Sequence, residues 1–383
     1  MMIGLRLLKL KRINKISIFS ILFTFIPLLT FSGETPQATP ICEAVTGINI
    51  GMPSQEMAWK NLNGNHEEEH IFIIGFFEEG IELFSTVFTF KYGPWQKWGL
   101  YSFVHEDSTG KTWFTRKECV EETRKVSHTS LDITCGSSSY KGLWPNWKYS
   151  LNEPEFQAQL DIHAMAKPFD TGTCYYSQDK SVAADCFVYI PQGTVTGTRT
   201  LDGKVHKVSG EAYSDHVHQK IPFTRQGPFY YAVRAFPDFA VAPEQKIYLN
   251  FSQQTLHQSY GGGNDTFAFV VQGGRILGFT RRLEIKPMEV ITDKDTGYKY
   301  VKRVTINAQG QNFTVKGTFA ADNVIETMDI FKWLPAYVRP IAQKFWKRPV
   351  YFRFLGKFDG TLETAGQSIP IKQRATSEMN FTQ

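Results

Sequence analysis

Charge of one sign, cysteine and long apolar runs are all scarce in this chain of 383 residues, and each scarcity excludes something. The formal net charge is +5, and five cations (Arg6, Lys9, Lys11, Arg12 and Lys15) precede residue 16, so the rest is close to neutral. A nucleic-acid partner needs a concentrated basic face on the folded part, so none is expected. One long apolar run occurs, from Ile16 to Phe31. It contains Pro27, falls short of the ~20 residues a spanning helix requires, and is followed by Ser32 and Gly33, as in a signal peptide. No serine lies in a nucleophile elbow, which removes the case for a Ser-His-Asp hydrolase. Gly261, Gly262 and Gly263 precede a strand-like run instead of a helix, so they are no phosphate cradle. No cofactor is expected.

The five cysteines are Cys42, Cys119, Cys135, Cys174 and Cys186. For an exported protein (periplasmic, secreted or associated with an outer membrane surface), the spacings predict pairs Cys119–Cys135 and Cys174–Cys186 on strands joined by hairpins. Cys42 is then left over, as a free, intermolecular or lipidated thiol.

What is abundant is aromatic: 31 Phe and 16 Tyr. From His70 onward, short β-branched and aromatic runs alternate with Gly, Pro, Asn or Asp every eight to twelve residues, which predicts antiparallel sheet throughout. Phe84, Phe88 and Phe90 alternate with Leu83, Ser85, Val87 and Thr89, so one strand face is far more aromatic than the other. These three phenylalanines are candidate ligand contacts. The expected organisation is a signal peptide over 1–33, a linker over 34–54, and two antiparallel β-barrels over 55–190 and 191–383, divided at Ile190, Pro191, Gln192 and Gly193.

One segment departs from the period of two. Ile330, Leu334, Tyr337, Val338, Ile341 and Phe345 recur at helical spacing, predicting a short amphipathic helix near the C-terminus. Trp333, Tyr337 and Trp346, set among cations, are candidates for peripheral membrane contact.

Two motifs bear on chemistry. His66-Glu67-Glu68-Glu69-His70 has the letters of HExxH, but that motif binds zinc only on a helix. Here it follows Asn63-Gly64-Asn65 and leads into a strand, so a solvated loop and no metal are expected. In Tyr213-Ser214-Asp215-His216-Val217-His218, a strand would put His216 and His218 with Ser214 on one face and Tyr213 and Asp215 on the other. Asp215 is the candidate general acid, Tyr213 an orienting group and His216 its partner, because burial keeps a carboxyl protonated. Tyr213, His216 and His218 are also candidate ligand contacts.

The stretch from Gly193 to Gln219 resembles a superfamily of paired lipocalin-like barrels. Its members include carotenoid hydratases of the hydroxyneurosporene-synthase type, fungal oxidative-stress survival factors and lipocalin-like Diels–Alderases. The resemblance rests on Val195, Gly197, Asp202, Gly203, Gly210, Tyr213, Asp215 and His216. After Asp-His, hydratase-like relatives carry a polar residue, an aromatic and a glycine, whereas this chain has Val217, His218 and Gln219. The resemblance implies two lipocalin-like barrels and an elongated apolar ligand held in or between them. The expected function is therefore lipid or isoprenoid binding, with hydration or cyclisation of an apolar polyene as the alternative.

Overall fold

A computed structural model describes residues 36–381 apart from 61, 65, 93–94, 222–226, 228, 261, 330–335, 338 and 341–349. The first fourteen strands are β1 (Pro36–Cys42), β2 (His66–Phe77), β3 (Ile81–Tyr92), β4 (Trp95–Glu106), β5 (Lys111–Glu118), β6 (Arg124–Val126), β7 (Asp132–Cys135), β8 (Ser138–Leu143), β9 (Asn146–Asn152), β10 (Phe156–Ala164), β11 (Phe169–Asp170), β12 (Cys174–Ser177), β13 (Ala183–Leu201) and β14 (Lys204–Gln219). They form one antiparallel sheet in the order β5-β4-β3-β2-β14-β13-β10-β9-β8-β7-β6, with β11 and β12 on β13 and β1 on β12. The second sheet comprises β15 (Phe229–Ala235), β16 (Ile247–Thr255), β17 (Asn264–Gln272), β18 (Arg275–Thr280), β19 (Leu283–Thr292), β20 (Lys299–Gln309), β21 (Phe313–Asp329), β22 (Val350–Thr364) and β23 (Gln367–Phe381). Its order is β18-β17-β16-β15-β23-β22-β21-β20-β19. The protein is thus all-β with two sheets.

Each sheet rolls back on itself. Tyr149 on β9 donates to Ser85 Oγ on β3 at 2.5 Å, although four other strands separate the two in the ladder. Laid flat at ~4.8 Å per strand, five steps would hold them about 24 Å apart. Likewise the Ile285 amide of β19 donates to Gln253 Oε1 of β16 at 3.3 Å across the second sheet. Among the described residues, no backbone ladder joins β5 to β6 or β18 to β19. Instead Cys119, just after β5, is bonded to Cys135 of β7.

Strand composition follows which faces are covered. In β2 every residue from Ile71 to Phe77 is buried. Ile71, Ile73 and Phe77 enter the interior of the first sheet, while Phe72, Ile74 and Phe76 face the second sheet, so a continuous apolar run replaces alternation. The seam between the sheets is aromatic: Phe76 stacks on Phe236 at 4.9 Å and Tyr213 on Tyr248 at 5.8 Å. The β13–β14 hairpin turns at Asp202 and Gly203, with φ of 48° and 75°, the left-handed pair that two-residue hairpins require.

Several expectations are corrected. The division at Ile190–Gly193 falls inside β13, which runs unbroken from Ala183 to Leu201. The ladder to β14 shifts register on either side of Ile190, so Pro191, which has no N–H to donate, sits at a bulge and not at a boundary. The chain passes between sheets after Gln219 instead. The segment over 34–54 is not wholly linker, because Pro36–Cys42 pairs with β12. His66–His70 opens strand β2 and is not a solvated loop: Glu67 and Glu69 are buried, and i, i+4 residues of a strand do not converge on one metal as they do on a helix. The helix expected over 330–345 lies outside the described residues except for Ala336, Tyr337, Arg339 and Pro340.

The second disulfide joins Cys42 to Cys174, not Cys174 to Cys186. Cys174 lies opposite Cys42 in the β1–β12 register, whereas its neighbour on β13 is Ala184, two residues from Cys186. Cys42 is therefore neither free nor lipidated on sulfur. Cys186 is the free thiol, and burial holds it well above the ordinary thiol range. Alkylation of the unfolded, unreduced protein should label Cys186 alone, and peptide mapping should recover the pairs 42–174 and 119–135. A labelled Cys42 would contradict the register.

Candidate functional site

The period of two divides β14 between two buried polar clusters. Tyr213 and Asp215 point into the seam, whereas Ser214 and His216 point into the interior of the first sheet. His216 is thus no partner of Asp215, because consecutive strand residues face opposite sides of the sheet.

In the seam the Tyr213 hydroxyl donates to Asp215 Oδ2 at 2.5 Å, while Asp215 Oδ1 is buried without a hydrogen-bond partner. Phe72 and Tyr248 flank Tyr213 at 6.1 and 5.8 Å between centroids. Burial pushes the Asp215 carboxyl up to about 7; Arg234, whose guanidinium lies 5.0 Å from the Tyr213 ring centroid, and the Tyr213 hydroxyl offset it only in part. Asp215 therefore keeps its proton up to near-neutral pH in an aromatic setting, where it can donate a proton or a hydrogen bond.

Around it runs an ionic network contributed mainly by the second sheet. Arg234 of β15 donates to Glu378 Oε1 of β23 at 2.8 Å. Tyr351 of β22 donates to the other oxygen of the same carboxylate. Arg353 stands directly opposite Glu378 in the β22–β23 register, contacts Glu326 Oε2 at 3.4 Å and lies 3.5 Å from the Phe84 ring centroid. Glu82 of β3 accepts from Thr376 Oγ1 at 2.8 Å, which ties the first sheet to the second. Burial tends to raise Glu378, but Arg234 and Arg353 outweigh it and hold that carboxyl below its ordinary range. Burial wins at Glu82 and Glu326, each raised to about 7.

The second cluster lies inside the first sheet. His216 Nε2 meets Glu69 Oε1 at 2.6 Å, and its Nδ1 meets the Tyr189 hydroxyl. His218 Nδ1 lies 3.3 Å from Asp185 Oδ2. Burial pushes Glu69 up to about 8 and His216 well below the ordinary histidine range, so the close pair is a neutral acid beside a neutral imidazole and not an ion pair.

The aromatic candidates on β3 face outward from the first sheet. Phe84 is buried in the seam beneath Arg353, while Phe88 and Phe90 are half-buried and stack at 6.4 Å. Tyr337 is exposed, and Trp333 and Trp346 lie outside the described residues. A groove of about 610 Å³ on the first sheet, lined by Lys141, Leu143, Trp147, Asp161, His163 and Thr196 among others, includes none of these residues. Among the described residues, a further His/Cys/Asp/Glu group close enough for a metal is Cys42, Cys174 and Asp265, whose two sulfurs are tied in a disulfide and offer no thiolate.

Sequence reasoning missed Arg234, Arg353 and Glu378. Their signal was a lone charge in an otherwise apolar or weakly polar strand run, as in FYYAVRAF, VYFRFLG and ATSEMNF. Charged residues are almost never fully buried unless paired, so three such interruptions predict partners for one another.

The molecule is similar in fold to several solved structures. An AttH-type protein from Nitrosomonas europaea aligns with 85% of this chain and 95% of its own at 12% identity, with a TM-score of 0.58. CghA bound to Sch210972 aligns over 92% and 97% at 11% identity, with a TM-score of 0.59. Kievitone hydratase from Nectria haematococca aligns over 92% and 98% at 10% identity, with a TM-score of 0.53. No curated protein sequence matches the chain. The family model described as the Svf1 family matches residues 103–381, a span that runs from the end of β4 through β14 and takes in the whole second sheet, and the chain belongs to that family.

Proposed function

We propose that this Svf1-family protein is an exported carrier of an elongated apolar molecule, held in or between two rolled sheets that we read as lipocalin-like barrels. The observation that carries this reading is the Asp215 carboxyl, 2% exposed, with Oδ1 unpartnered among Phe72, Tyr213 and Tyr248. An unpaired buried polar atom costs roughly 1–3 kcal/mol, so its retention in an aromatic seam fits a group that meets the polar end of an otherwise apolar ligand. The two disulfides support an oxidising compartment. Exposed Tyr337, with Trp333 and Trp346, is the proposed point of peripheral membrane contact.

One observation favours a second reading, a hydratase or cyclase acting on an apolar polyene. Asp215 retains its proton up to about 7 and is oriented by Tyr213, the requirements of a general acid near neutral pH. One fold neighbour is named a hydratase. Native mass spectrometry after mild organic extraction separates the readings. Unmodified ligand recovered from both wild type and Asp215→Asn is expected for a carrier, whereas product formed by wild type alone would replace that reading with catalysis. Protein that yields no extractable apolar molecule would overturn both.

A further inference from the structure

The segment before β2 crosses the end of the first sheet where the second polar cluster lies. Its outer residues Pro53 to Glu56 are exposed, and Met57, Ala58 and Trp59 are each 2% exposed. Three hydrogen bonds fix it. The Tyr189 hydroxyl donates to the Met57 carbonyl at 2.5 Å, the Lys60 amide donates to Glu69 Oε1 at 2.6 Å, and His128 Nδ1 lies 2.9 Å from the Trp59 carbonyl. The Trp59 indole stacks on His216 at 5.6 Å and lies tilted against Trp98 at 4.7 Å.

Proton counting links these contacts. A neutral imidazole carries one N–H. With the Tyr189 hydrogen directed at Met57, His216 Nδ1 must donate to the Tyr189 oxygen. Its Nε2 is then a lone pair, and Glu69, 2.6 Å away, must bring a proton to it. If that proton leaves, Nε2 takes the hydrogen, Nδ1 becomes the acceptor, the Tyr189 hydroxyl turns to Nδ1, and the Met57 carbonyl loses its donor.

We propose that residues 52–60 form a strap over the interior of the first sheet, latched through Tyr189, His216 and Glu69, and that loss of the Glu69 proton opens it. The groups facing Glu69 are Lys60 on the strap, His128 from the β6–β7 connection, His216 and His218 on β14, Asp185 and Tyr189 on β13, and Lys91 of β3 beside Glu67. Ionisation strengthens the Lys60 amide bond, which opposes opening. Burial outweighs it, since Glu69 Oε2 has no hydrogen-bond partner beneath the strap and the group stays protonated up to about 8. Opening the strap exposes that carboxyl to water, so closure and proton binding are linked.

Hydrogen exchange of the full chain, read on the peptide spanning residues 52–60 between pH 6 and pH 8, tests this without any ligand. After correction for intrinsic exchange, protection in the wild type is expected to fall by up to about tenfold per pH unit, the limit for release of one proton. Glu69→Gln carries no releasable proton and, because the Lys60 amide and His216 Nε2 both meet Oε1, can serve only one of the two at that position, so it should lose some protection at every pH and show no slope. Tyr189→Phe should lose protection by about two- to tenfold at every pH, the worth of one hydrogen bond, and keep the slope. A flat wild-type profile, or an undiminished slope in Glu69→Gln, would overturn the proposal.

Discussion

Arg353→Leu is expected to lower the unfolding free energy by about 3–5 kcal/mol, the range for removing one partner from a buried ionic network. Arg353 is 1% exposed and faces Glu378, Glu326 and Glu82 from a strand whose neighbours are Phe352 and Phe354. Without it, Glu378 keeps Arg234 as its ion-pair partner among the described residues, and Phe84 and Phe103, which lie 3.5 and 4.8 Å from the guanidinium at their centroids, lose their covering group. The urea midpoint at pH 7 measures the effect. Arg353→Lys should recover a minor part of the loss, because one ammonium cannot reach the contacts that a planar guanidinium makes at once. A leucine variant within about 1 kcal/mol of wild type would show that the network contributes little to cohesion between the sheets.

A second large effect is a decline in stability as pH rises from 5 to 8. Asp215, Glu82 and Glu326 are each held up to about 7 by burial, against ordinary values of 3.8, 4.5 and 4.5. Between the ordinary and the raised value, the folded chain retains protons that the unfolded chain has released, so stability is full below the lower value and falls until the upper one is passed. Glu378 and two histidines have the opposite sign. The contribution of the depressed Glu378 carboxyl is lost on acidification below 4.5. His70, lowered to about 4, and His216 stay unprotonated in the fold while the unfolded chain binds protons below 6.5, so they offset part of the decline up to that pH. Glu69, raised to about 8, adds to the decline. Each unit of difference corresponds to about 1.4 kcal/mol, and because the three acids share Arg234 and Arg353 their sum is less than additive, on the order of 3–6 kcal/mol. The triple variant Asp215→Asn, Glu82→Gln, Glu326→Gln should remove the part of that slope due to these three acids, leaving the Glu69 contribution, in urea midpoints taken across the range. A midpoint that climbs from pH 5 to 8 in the wild type would reverse the sign and remove the argument.

Much of the fold was legible because strand signals are local. The alternation in Phe84 to Phe90, the Asp202-Gly203 turn and the faces of Tyr213 to His218 follow from a period of two and from turn stereochemistry, which depend on residues within a few positions. The error at Ile190–Gly193 has the same origin. A proline beside a glycine reads as a break when only neighbours are considered, whereas a bulge is visible only once β13 is laid against β14. The solvated loop expected at His66–His70 failed for a related reason: its charges read as solvent-facing when only neighbours are considered, whereas the strand turned Glu69 inward to meet His216 from 147 residues away.

The sequence by itself determined that this chain is built of antiparallel strands, that Asp215 and Tyr213 share a face, that His216 lies on the other, and that Cys119 and Cys135 are close enough to join. Those properties are set by backbone stereochemistry and short loops. Only the tertiary structure decided that Cys42 and not Cys186 bonds Cys174, that Arg234, Arg353 and Glu378 meet across strands β15, β22 and β23, and that Tyr189, His216 and Glu69 form one chain under a strap. Each of these depends on register between strands distant in sequence. Registers of that kind are fixed by the burial of whole faces against one another, a balance summed over the entire sheet that no short window of residues contains.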